Sequence, residues 1–326
     1  MENPLSALSL ALDADMKAVN ALIMARMDSN VPLIPQLAGY LIAAGGKRVR
    51  PLLTLAATKL FNGDMARAAL LATSVEFIHT ATLLHDDVVD GSDQRRGQDA
   101  ANLVFGNQAS VLVGDFLFSR AFQLMTEDGN LDVLRILSDA SAVIAQGEVM
   151  QLSLAGKIDT GMESYIEIIK AKTAALFAAA CEIGPVIADQ DRAAVSAMAE
   201  FGMNLGIAFQ IADDTLDYNA DREKLGKTVG DDFREGKLTA PAILALEKAN
   251  EEERQFWQRT MAEHDQKDGD LGRAQELFAK YGTLDSSMKM AQDYADNARL
   301  ALAEAPDHPL RAIFDDLCAY VVNRDY

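Results

Sequence analysis

The stretch EFIHTATLLHDDVVDG, residues 76–91, joins an apolar, helix-favouring run to three aspartates in the spacing DDxxD. A second stretch of the same form, AFQIADDTLDY, covers residues 208–218. In a helix, the first and last aspartate of each motif lie about one turn apart on one face, so that each pair can bind a cation together. The two stretches predict a helical protein with two carboxylate sites at helix ends.

Apolar residues recur at helical spacing in both directions from these motifs. The predicted helices are Leu5–Met27, Met65–Asp90, Ala109–Met125, Leu131–Leu154, Ser164–Ile183, Arg192–Asp217 and Leu238–Lys248. Helix-forming residues are plentiful, and the 326 residues include only 8 prolines. We therefore expect an all-α fold in which residues 1–326 form a single domain and the more polar residues 251–326 form a peripheral helical layer.

The formal net charge of −19 disfavours non-specific binding to nucleic acid or to an anionic membrane, since both are polyanions. No apolar run reaches the ~18 residues of a membrane span, because Glu182 interrupts the longest candidate. The first residues lack a basic leader, so that a cytoplasmic protein is expected. Cys181 and Cys318 are far apart in the sequence and are predicted to be reduced core thiols.

The aspartate motifs place three carboxylates on a largely apolar helix, where they repel one another unless a cation neutralises them. The two sets are Asp86, Asp87 and Asp90, and Asp213, Asp214 and Asp217. Oxygen ligands of this kind favour Mg²⁺. A single DDxxD is more often an acidic helix end that faces water. Two copies at the carboxyl ends of helices, where the helix dipole disfavours anions, favour a functional site.

Basic residues follow glycines in GGKRVRP, residues 45–51. Lys47, Arg48 and Arg50 crowd the expected amino end of a helix that begins at Pro51, a combination suited to binding anions. A solvated basic loop is the alternative. Arg95 and Arg96 follow the first aspartate motif closely. Each of the isolated cations Lys172, Lys227 and Lys237 would, taken alone, more often be a surface lysine.

His79 lies on the apolar helix that leads to Asp86, where a lone histidine is usually a core residue. It also completes Glu76-x-x-His79, the ligand spacing of di-iron helix bundles. Such sites need a second Glu-x-x-His, which the sequence does not contain. The di-iron alternative is therefore disfavoured.

Together these segments resemble the trans-isoprenyl diphosphate synthases, or polyprenyl synthetases. The matching segments, in family order, are GGKRVRP, EFIHTATLLHDDVVDGSDQRRG, GDFLFSRA, AKTAALFAAA, GIAFQIADDTLDY and GKTVGDDFREGKLTAP. The resemblance implies a bundle of helices around a central cavity, usually as a homodimer, with the aspartate motifs facing each other. It implies a Mg²⁺-dependent prenyltransferase that joins isopentenyl diphosphate to an allylic diphosphate such as farnesyl diphosphate.

The resemblance also assigns roles to single residues. Asp86, Asp90, Asp213 and Asp217 would hold Mg²⁺ on the allylic diphosphate, and Asp87 and Asp214 would support them. Arg95 and Lys172 would bind the same diphosphate, with Lys227 and Lys237 assisting. Gly46, Lys47, Arg50, His79 and Arg96 match positions that bind isopentenyl diphosphate. Thr173 and Gln210 match residues near the reacting carbon.

Product length is predicted from the helix before the first DDxxD, which lines the product tunnel in this family. Short-chain farnesyl synthases carry aromatic residues four or five positions before the first aspartate, where this chain has Thr82 and Ala81. Deeper positions, Ile78, Val75 and Ser74, are also moderate in size, whereas Phe77 is rotated ~180° from Asp86. The resemblance thus predicts a long all-trans product, heptaprenyl to decaprenyl with octaprenyl favoured, for quinone side chains such as that of ubiquinone. Candidates for the tunnel floor are Phe118, Phe122 and Met125.

Three alternatives stay open beside this prediction. The first is a shorter-chain synthase that makes farnesyl or geranylgeranyl diphosphate. The second is a class I terpene cyclase, which the second DDxxD disfavours because cyclases usually pair one such motif with a different metal motif. The third is a non-catalytic synthase subunit, which the intact aspartates and arginines disfavour.

Overall fold

The structure is a computed structural model that describes residues 3–43, 45–95, 97–218 and 229–323. Its α-helices are α1 (Pro4–Ala11), α2 (Asp13–Arg26), α3 (Leu33–Ala43), α4 (Val49–Leu60), α5 (Met65–Val89), α6 (Ala101–Phe105), α7 (Asn107–Asp128), α8 (Leu131–Leu154), α9 (Met162–Ile169), α10 (Ala175–Ile187), α11 (Arg192–Leu216), α12 (Asp231–Arg234), α13 (Ala240–Lys248), α14 (Glu251–Trp257), α15 (Asp270–Tyr281), α16 (Thr283–Ala301) and α17 (Pro309–Asn323). A hairpin pairs β1 (Gln94–Arg95) with β2 (Gln98–Asp99). The predicted all-α class is confirmed, and the short hairpin is an addition to it.

The chain forms two compact units. Unit 1 contains Met1–Ser141, Leu176–Ala199 and Glu304–Phe314, and unit 2 contains Ala142–Ala175, Glu200–Ala303 and Asp315–Tyr326. The first aspartate motif and the GGKRVRP segment belong to unit 1, whereas the second aspartate motif belongs to unit 2. The expectation of one domain stays a prediction.

Helix α5 is the central helix of unit 1 and packs along α7, α4 and α2. Its amino end is capped by Asp64, whose carboxylate accepts the backbone N–H groups of Ala66 and Arg67. Buried apolar residues follow from Ala68 to Leu84, so that packing holds the helix along its length. The helix ends at Asp90, and its last turn carries the first aspartate motif.

Two close helix contacts require glycine. A Cβ atom at Gly184, on α10, would lie 2.5 Å from the backbone carbonyl carbon of Ala57, on α4. In unit 2, a Cβ atom at Gly147 would lie 2.6 Å from the Cβ atom of Ala171. Both distances are shorter than any relaxed carbon contact, so that only glycine permits the observed packing.

A π-helical segment, Lys170–Ala174, follows α9 and precedes α10. The predicted helix Ser164–Ile183 is therefore wider at this point than an α-helix. π-helical turns are rare in proteins, and many of them lie at functional sites. This segment contains Lys172 and Thr173, two of the predicted site residues.

The core of unit 2 is built around aromatic rings. The ring centroids of Tyr218 and Phe278 are 4.8 Å apart, and those of Trp257 and Phe278 are 5.7 Å apart. Phe233 is buried in the same cluster. Trp257 and Phe278 come from the segment beyond residue 251, so that this segment contributes to the core of unit 2.

Two differences between the predicted and the observed helix boundaries have a clear physical reason. The predicted helix Leu5–Met27 is two helices, since the backbone leaves helical geometry at Leu12 (φ −120°, ψ 17°). Asp13 and Asp15 then lie in the first turn of α2, where the helix dipole favours acidic residues. Helix α4 begins at Val49 rather than at Pro51, and proline is tolerated there because first-turn N–H groups have no partner within the helix.

Cys181 and Cys318 are buried thiols, as predicted. Burial raises the pKa of Cys318 to about 12, so that this thiol is unreactive near neutral pH. In the described ranges, no helix combines the length and the apolar composition that crossing a membrane requires.

Candidate active site

The first aspartate motif has one internal and two outer carboxylates. Asp87 is buried, Asp86 is half-buried and Asp90 is exposed. Arg95, on β1, donates from Nε to Oδ1 of Asp87 over 2.8 Å, and Asn102 donates from Nδ2 to the Asp87 carbonyl over 3.1 Å. The hairpin and α6 thus hold Asp87 in place, while Asp86 and Asp90 remain nearer to solvent.

The basic residues of GGKRVRP have separate partners. Arg50 donates from Nη1 to His79 Nε2 over 3.2 Å, and its guanidinium carbon lies 4.6 Å from the ring centroid of Phe177. Because arginine has no acceptor, His79 Nε2 must accept, which places the ring proton on Nδ1. Arg48 instead forms an ion pair with the buried carboxylate of Glu76. Arg50 and His79, which the resemblance assigns to one ligand, therefore lie in contact.

Lys47 and Gly46 lie in the exposed loop before α4. The alternative reading of Glu76 and His79 as di-iron ligands does not fit the structure. Glu76 is paired with Arg48, and His79 accepts from Arg50, so that each side chain has a cationic partner of the protein's own.

A cleft in unit 1 lies beside the same residues. It encloses about 580 Å³ of empty space, part of it open to solvent. Its lining combines the two ion pairs with apolar side chains: Ile23, Met27, Leu41, Arg48, Glu76, Phe77, Thr80, Leu83, Asp87, Arg95 and Leu117. Phe77 thus lies on the same side of α5 as Asp87.

The second aspartate motif is more deeply buried than the first. Both oxygens of Asp214 accept protein hydrogen bonds, from Tyr165 Oη to Oδ2 over 2.6 Å and from Gln210 Nε2 to Oδ1 over 2.7 Å. Asp217 Oδ2 accepts the backbone N–H of Asp232 over 3.0 Å, and its carbonyl accepts the N–H of Gly230 over 2.9 Å. The segment that begins α12 therefore holds the end of this motif.

Two predicted site residues, Lys172 and Thr173, lie on the π-helical segment. Thr173 donates from Oγ1 to Gln210 Oε1 over 2.8 Å, which connects it to Asp214 through one amide. Lys172 Nζ lies 2.6 Å from Glu148 Oε2, on α8. Gly147, beside Glu148, allows α8 to approach this segment closely. The wide helical turn thus connects the Thr173 hydroxyl to the second aspartate motif through Gln210, while the neighbouring Lys172 is paired with Glu148.

The carboxyl groups of unit 2 are strongly perturbed. Burial raises the pKa of Asp214 to about 7, although hydrogen bonds from Tyr165 and Gln210 act in the opposite direction. Burial and then the charges of Asp214 and Asp217 raise the pKa of Asp232 well above its usual value. Crowded negative charge of this kind suits a place that binds cations. Within the described ranges, no three His, Cys, Asp or Glu side chains form a metal cage by themselves.

Two predicted binding residues, Arg96 and Lys227, lie outside the described residues. Lys237 Nζ lies 2.6 Å from Glu235 Oε2. Sequence reasoning missed Glu148 and Tyr165 as partners of the site. No local pattern marks Tyr165, because its partner Asp214 lies 49 positions away.

Two helices of this all-α fold end in clustered carboxylates, and an arginine lies beside the first cluster, an arrangement suited to enzymes that bind anionic ligands. Comparison with known proteins identifies the family. The chain belongs to the polyprenyl synthetase family, whose model matches residues 31–278. The resemblance inferred from the motifs is confirmed.

Three relatives illustrate the similarity. The octaprenyl diphosphate synthase of Escherichia coli is 44% identical over 95% of this chain and 96% of its own. The crystal structure of a decaprenyl diphosphate synthase from Rhodobacter capsulatus is 54% identical, with a TM-score of 0.93 and 98% of both chains covered. A polyprenyl synthase from Caulobacter crescentus, solved with calcium and isoprenyl diphosphate, is 51% identical, with the same TM-score of 0.93 and 98% coverage of both chains.

Proposed function

We propose that this chain is a Mg²⁺-dependent prenyltransferase that extends an allylic diphosphate, such as farnesyl diphosphate, with isopentenyl diphosphate. The product is a long all-trans polyprenyl diphosphate of heptaprenyl to decaprenyl length, with octaprenyl favoured. The observation that carries the proposal is that Gln210 connects the second aspartate motif to Thr173, on the π-helical segment that also contains Lys172. Similarity to octaprenyl and decaprenyl synthases supports the product length.

Isopentenyl diphosphate is bound in unit 1. Arg50, already in contact with His79, supplies a planar fork of donors suited to phosphate oxygens. The imidazole of His79 limits how far Arg50 can rotate, and Phe177 covers one face of the guanidinium. Lys47 and the backbone at Gly46 complete this site from the exposed loop.

The allylic diphosphate is bound by the aspartate motifs. Asp86, Asp90, Asp213 and Asp217 are hard oxygen donors, and the raised carboxyl pKa values of unit 2 fit a cation site. These carboxylates would hold Mg²⁺, which would supply positive charge to stabilise the departing diphosphate. Arg95 and Lys172 donate to the same diphosphate, assisted by Lys237. Asp87 and Asp214 orient their neighbours, since each is held by protein donors.

The reaction then needs a dry site that tolerates a positive charge. The C–O bond breaks, and its electron pair leaves with diphosphate. Thr173 and Gln210 present oxygen atoms whose dipoles stabilise the allylic cation. The double bond of isopentenyl diphosphate attacks this cation, and loss of a proton forms the new double bond. Apolar walls exclude water that would otherwise react with the cation.

The long product is consistent with small side chains before the first aspartate motif. Ala81 and Ile78 are fully buried, and Thr82 donates from Oγ1 to the His79 carbonyl over 2.8 Å. Ser74 faces α7 instead, since its hydroxyl donates to the Ala121 carbonyl over 3.1 Å. No bulky ring stands at the two positions that limit shorter products in the family.

The family resemblance also supports a homodimer, a cytoplasmic location and a role in making quinone side chains such as that of ubiquinone. Light scattering on the purified chain tests the first of these. Quinone analysis in a host that lacks the gene tests the last.

The deciding experiment incubates the purified chain with farnesyl diphosphate, labelled isopentenyl diphosphate and Mg²⁺. Elongation to products of seven to ten isoprene units is the expected result. A matched reaction with excess chelator should give no product. Products that stop at geranylgeranyl diphosphate would replace the long-chain proposal, cyclised hydrocarbons would indicate a terpene cyclase, and no turnover would indicate a non-catalytic subunit.

A further inference from the structure

Asp214 lies at the centre of a buried chain of hydrogen bonds. Asp214 accepts one hydrogen bond at each of its carboxyl oxygens, from Tyr165 Oη over 2.6 Å and from Gln210 Nε2 over 2.7 Å. Tyr165 is itself 4% exposed, and its hydroxyl donates to Oδ2 of Asp214. The phenol hydrogen is thus directed towards Asp214.

The carboxylate fixes which way the Gln210 amide points. Its NH₂ group must face Asp214, so that its carbonyl oxygen faces Thr173. Thr173 in turn donates its only hydroxyl hydrogen to that carbonyl over 2.8 Å. The hydrogens of Gln210 and Thr173 are therefore engaged in these bonds, and their oxygen atoms are the groups that can interact with a neighbouring positive charge.

An inverted amide would have the opposite effect. With its NH₂ group facing Thr173, Gln210 would place partial positive charge near the place where the proposed allylic cation forms. A dipole of the wrong sign in a dry site raises the barrier to forming that cation. The direction of the hydrogen bonds, and not only their presence, is thus important for the reaction.

We propose that Tyr165 is a positioning residue, which acts through Asp214 to fix the orientation of the Gln210 amide and of the Thr173 hydroxyl. This inference rests on the proposed prenyltransferase function. Without the phenol hydroxyl, Asp214 loses one of its two side-chain donors and is free to turn, and the amide loses its fixed partner. Tyr165 itself does not touch the substrate.

The test compares two Tyr→Phe variants in unit 2. Tyr165→Phe should lower kcat about ten-fold or more while the KM values of both substrates change less than about three-fold. Tyr281→Phe is the matched control, since Tyr281 donates to Glu253 over 2.7 Å away from the aspartate motif. It removes a similar bond and should affect stability without lowering kcat.

A double-variant cycle separates positioning from general damage. Gln210→Met removes both amide hydrogen bonds while keeping the side-chain length. In that background, Tyr165→Phe should change kcat less than about two-fold, because its effect passes through the amide. Fully additive losses, or a Tyr165→Phe variant whose kcat equals that of the Tyr281→Phe control, would overturn the inference. If the unmodified chain does not elongate farnesyl diphosphate, the proposed function fails first and this inference with it.

Discussion

Arg48 and Arg50 show how two arginines in one motif come to have different roles. Arg48 is paired with the buried Glu76, whereas Arg50 meets His79 and the ring of Phe177. The first pair lies within the protein, and its loss should affect folding. The second is the proposed contact with isopentenyl diphosphate, and its loss should affect binding.

We expect Arg50→Gln to raise the KM for isopentenyl diphosphate about 10- to 100-fold, because it removes a charge-assisted contact to phosphate. Steady-state kinetics with both substrates measure this effect. Arg48→Gln is the matched variant. It should leave Glu76 buried without its cation and lower the free energy of unfolding by about 3 kcal/mol, as seen in chemical denaturation. If both variants changed the KM and the free energy of unfolding alike, the proposed difference between Arg50 and Arg48 would be contradicted.

Ala81→Phe should shorten the product by several isoprene units, since a ring four to five residues before the first aspartate would fill the space that the growing chain needs. Chromatography of dephosphorylated products measures chain length. Phe77, on the same helix but beside Asp87 in the cleft, provides the control. Phe77→Leu should leave the product length unchanged, and an unaltered product from Ala81→Phe would discard this assignment of the tunnel.

For single residues, the sequence indicated which side chains are candidates for the site better than it indicated which side chains they contact. Local motifs named the aspartates and Arg50 as candidates, the family resemblance added His79, and the structure places Arg50 beside His79. Glu148 and Tyr165 were missed, because their partners Lys172 and Asp214 are distant in the chain and only the fold brings them close. A buried tyrosine gives no local signal of the carboxylate that it will meet.

Among the elements, the contact between α8 and the π-helical segment is the one most sensitive to side-chain size. Gly147→Ala should move the segment that carries Lys172 and Thr173, because the added carbon would lie 2.6 Å from the Ala171 Cβ atom. We expect kcat to fall about ten-fold or more. The elongation assay measures it, with circular dichroism to verify folding.

Gly272→Ala, in helix α15, is the control for this substitution. A Cβ atom there meets nothing within 4 Å, so that the change should stabilise the helix by about 0.5–1 kcal/mol and leave kcat unchanged. Equal activity in the Gly147 and Gly272 variants would show that the close helix contact is not needed for the reaction.

The amino end of α14 and the carboxyl end of α15 are joined through Glu253. Hydrogen bonds from Lys280 and then Tyr281 lower the pKa of Glu253 from 4.5 to about 2. A carboxyl group whose pKa is lower in the folded state stabilises the fold above its unfolded pKa. This stabilisation should be fully present above pH 4.5 and be lost as the pH falls towards 2.

Glu253→Gln should therefore remove part of the pH dependence of unfolding between these values. Unfolding by urea at a series of pH values measures it. Glu252→Gln, at the exposed neighbouring position, is the control and should behave as the unmodified chain does. A Glu253→Gln variant with the original pH dependence would refute the assignment.

Most elements were predictable from hydrophobic periodicity, because long buried helices such as α5 and α8 keep a regular apolar face. The predicted bounds Met65–Asp90 and Leu131–Leu154 agree with the structure to within one residue. The π-helical turn was not predictable, since it changes the winding without interrupting the apolar pattern. The break at Leu12 was missed for a related reason: Leu8, Leu12 and Met16 are all buried and keep helical spacing across it.

For the whole molecule, the net charge of −19 limits which membranes the chain can approach to deliver an apolar product. We expect vesicles of phosphatidylglycerol to retain less protein than vesicles of phosphatidylcholine at low salt, because repulsion extends ~30 Å at 0.01 M salt. Flotation assays measure the bound fraction. Binding that increases with the anionic lipid content would contradict this expectation.

Family and fold class were predictable for the whole chain because ordered motifs over nearly two hundred residues rarely coincide by chance, and the family model indeed extends over residues 31–278. The packing of the segment beyond residue 251 was harder to predict from the sequence. Its core residues, such as Trp257 and Phe278, are spaced among polar residues, so that composition alone predicted a peripheral layer.

The wide turn at Lys170–Ala174 also affects how this chain should be aligned with its relatives. A π-helical turn holds about one residue more than an α-helical turn, so that deleting a single residue here would restore regular winding and leave the later side chains in nearly the same directions. A misplaced one-residue gap here would align Lys172 with a relative's residue at the position of Ala171 or Thr173. In this segment, the number of residues must be conserved among relatives as well as their identity.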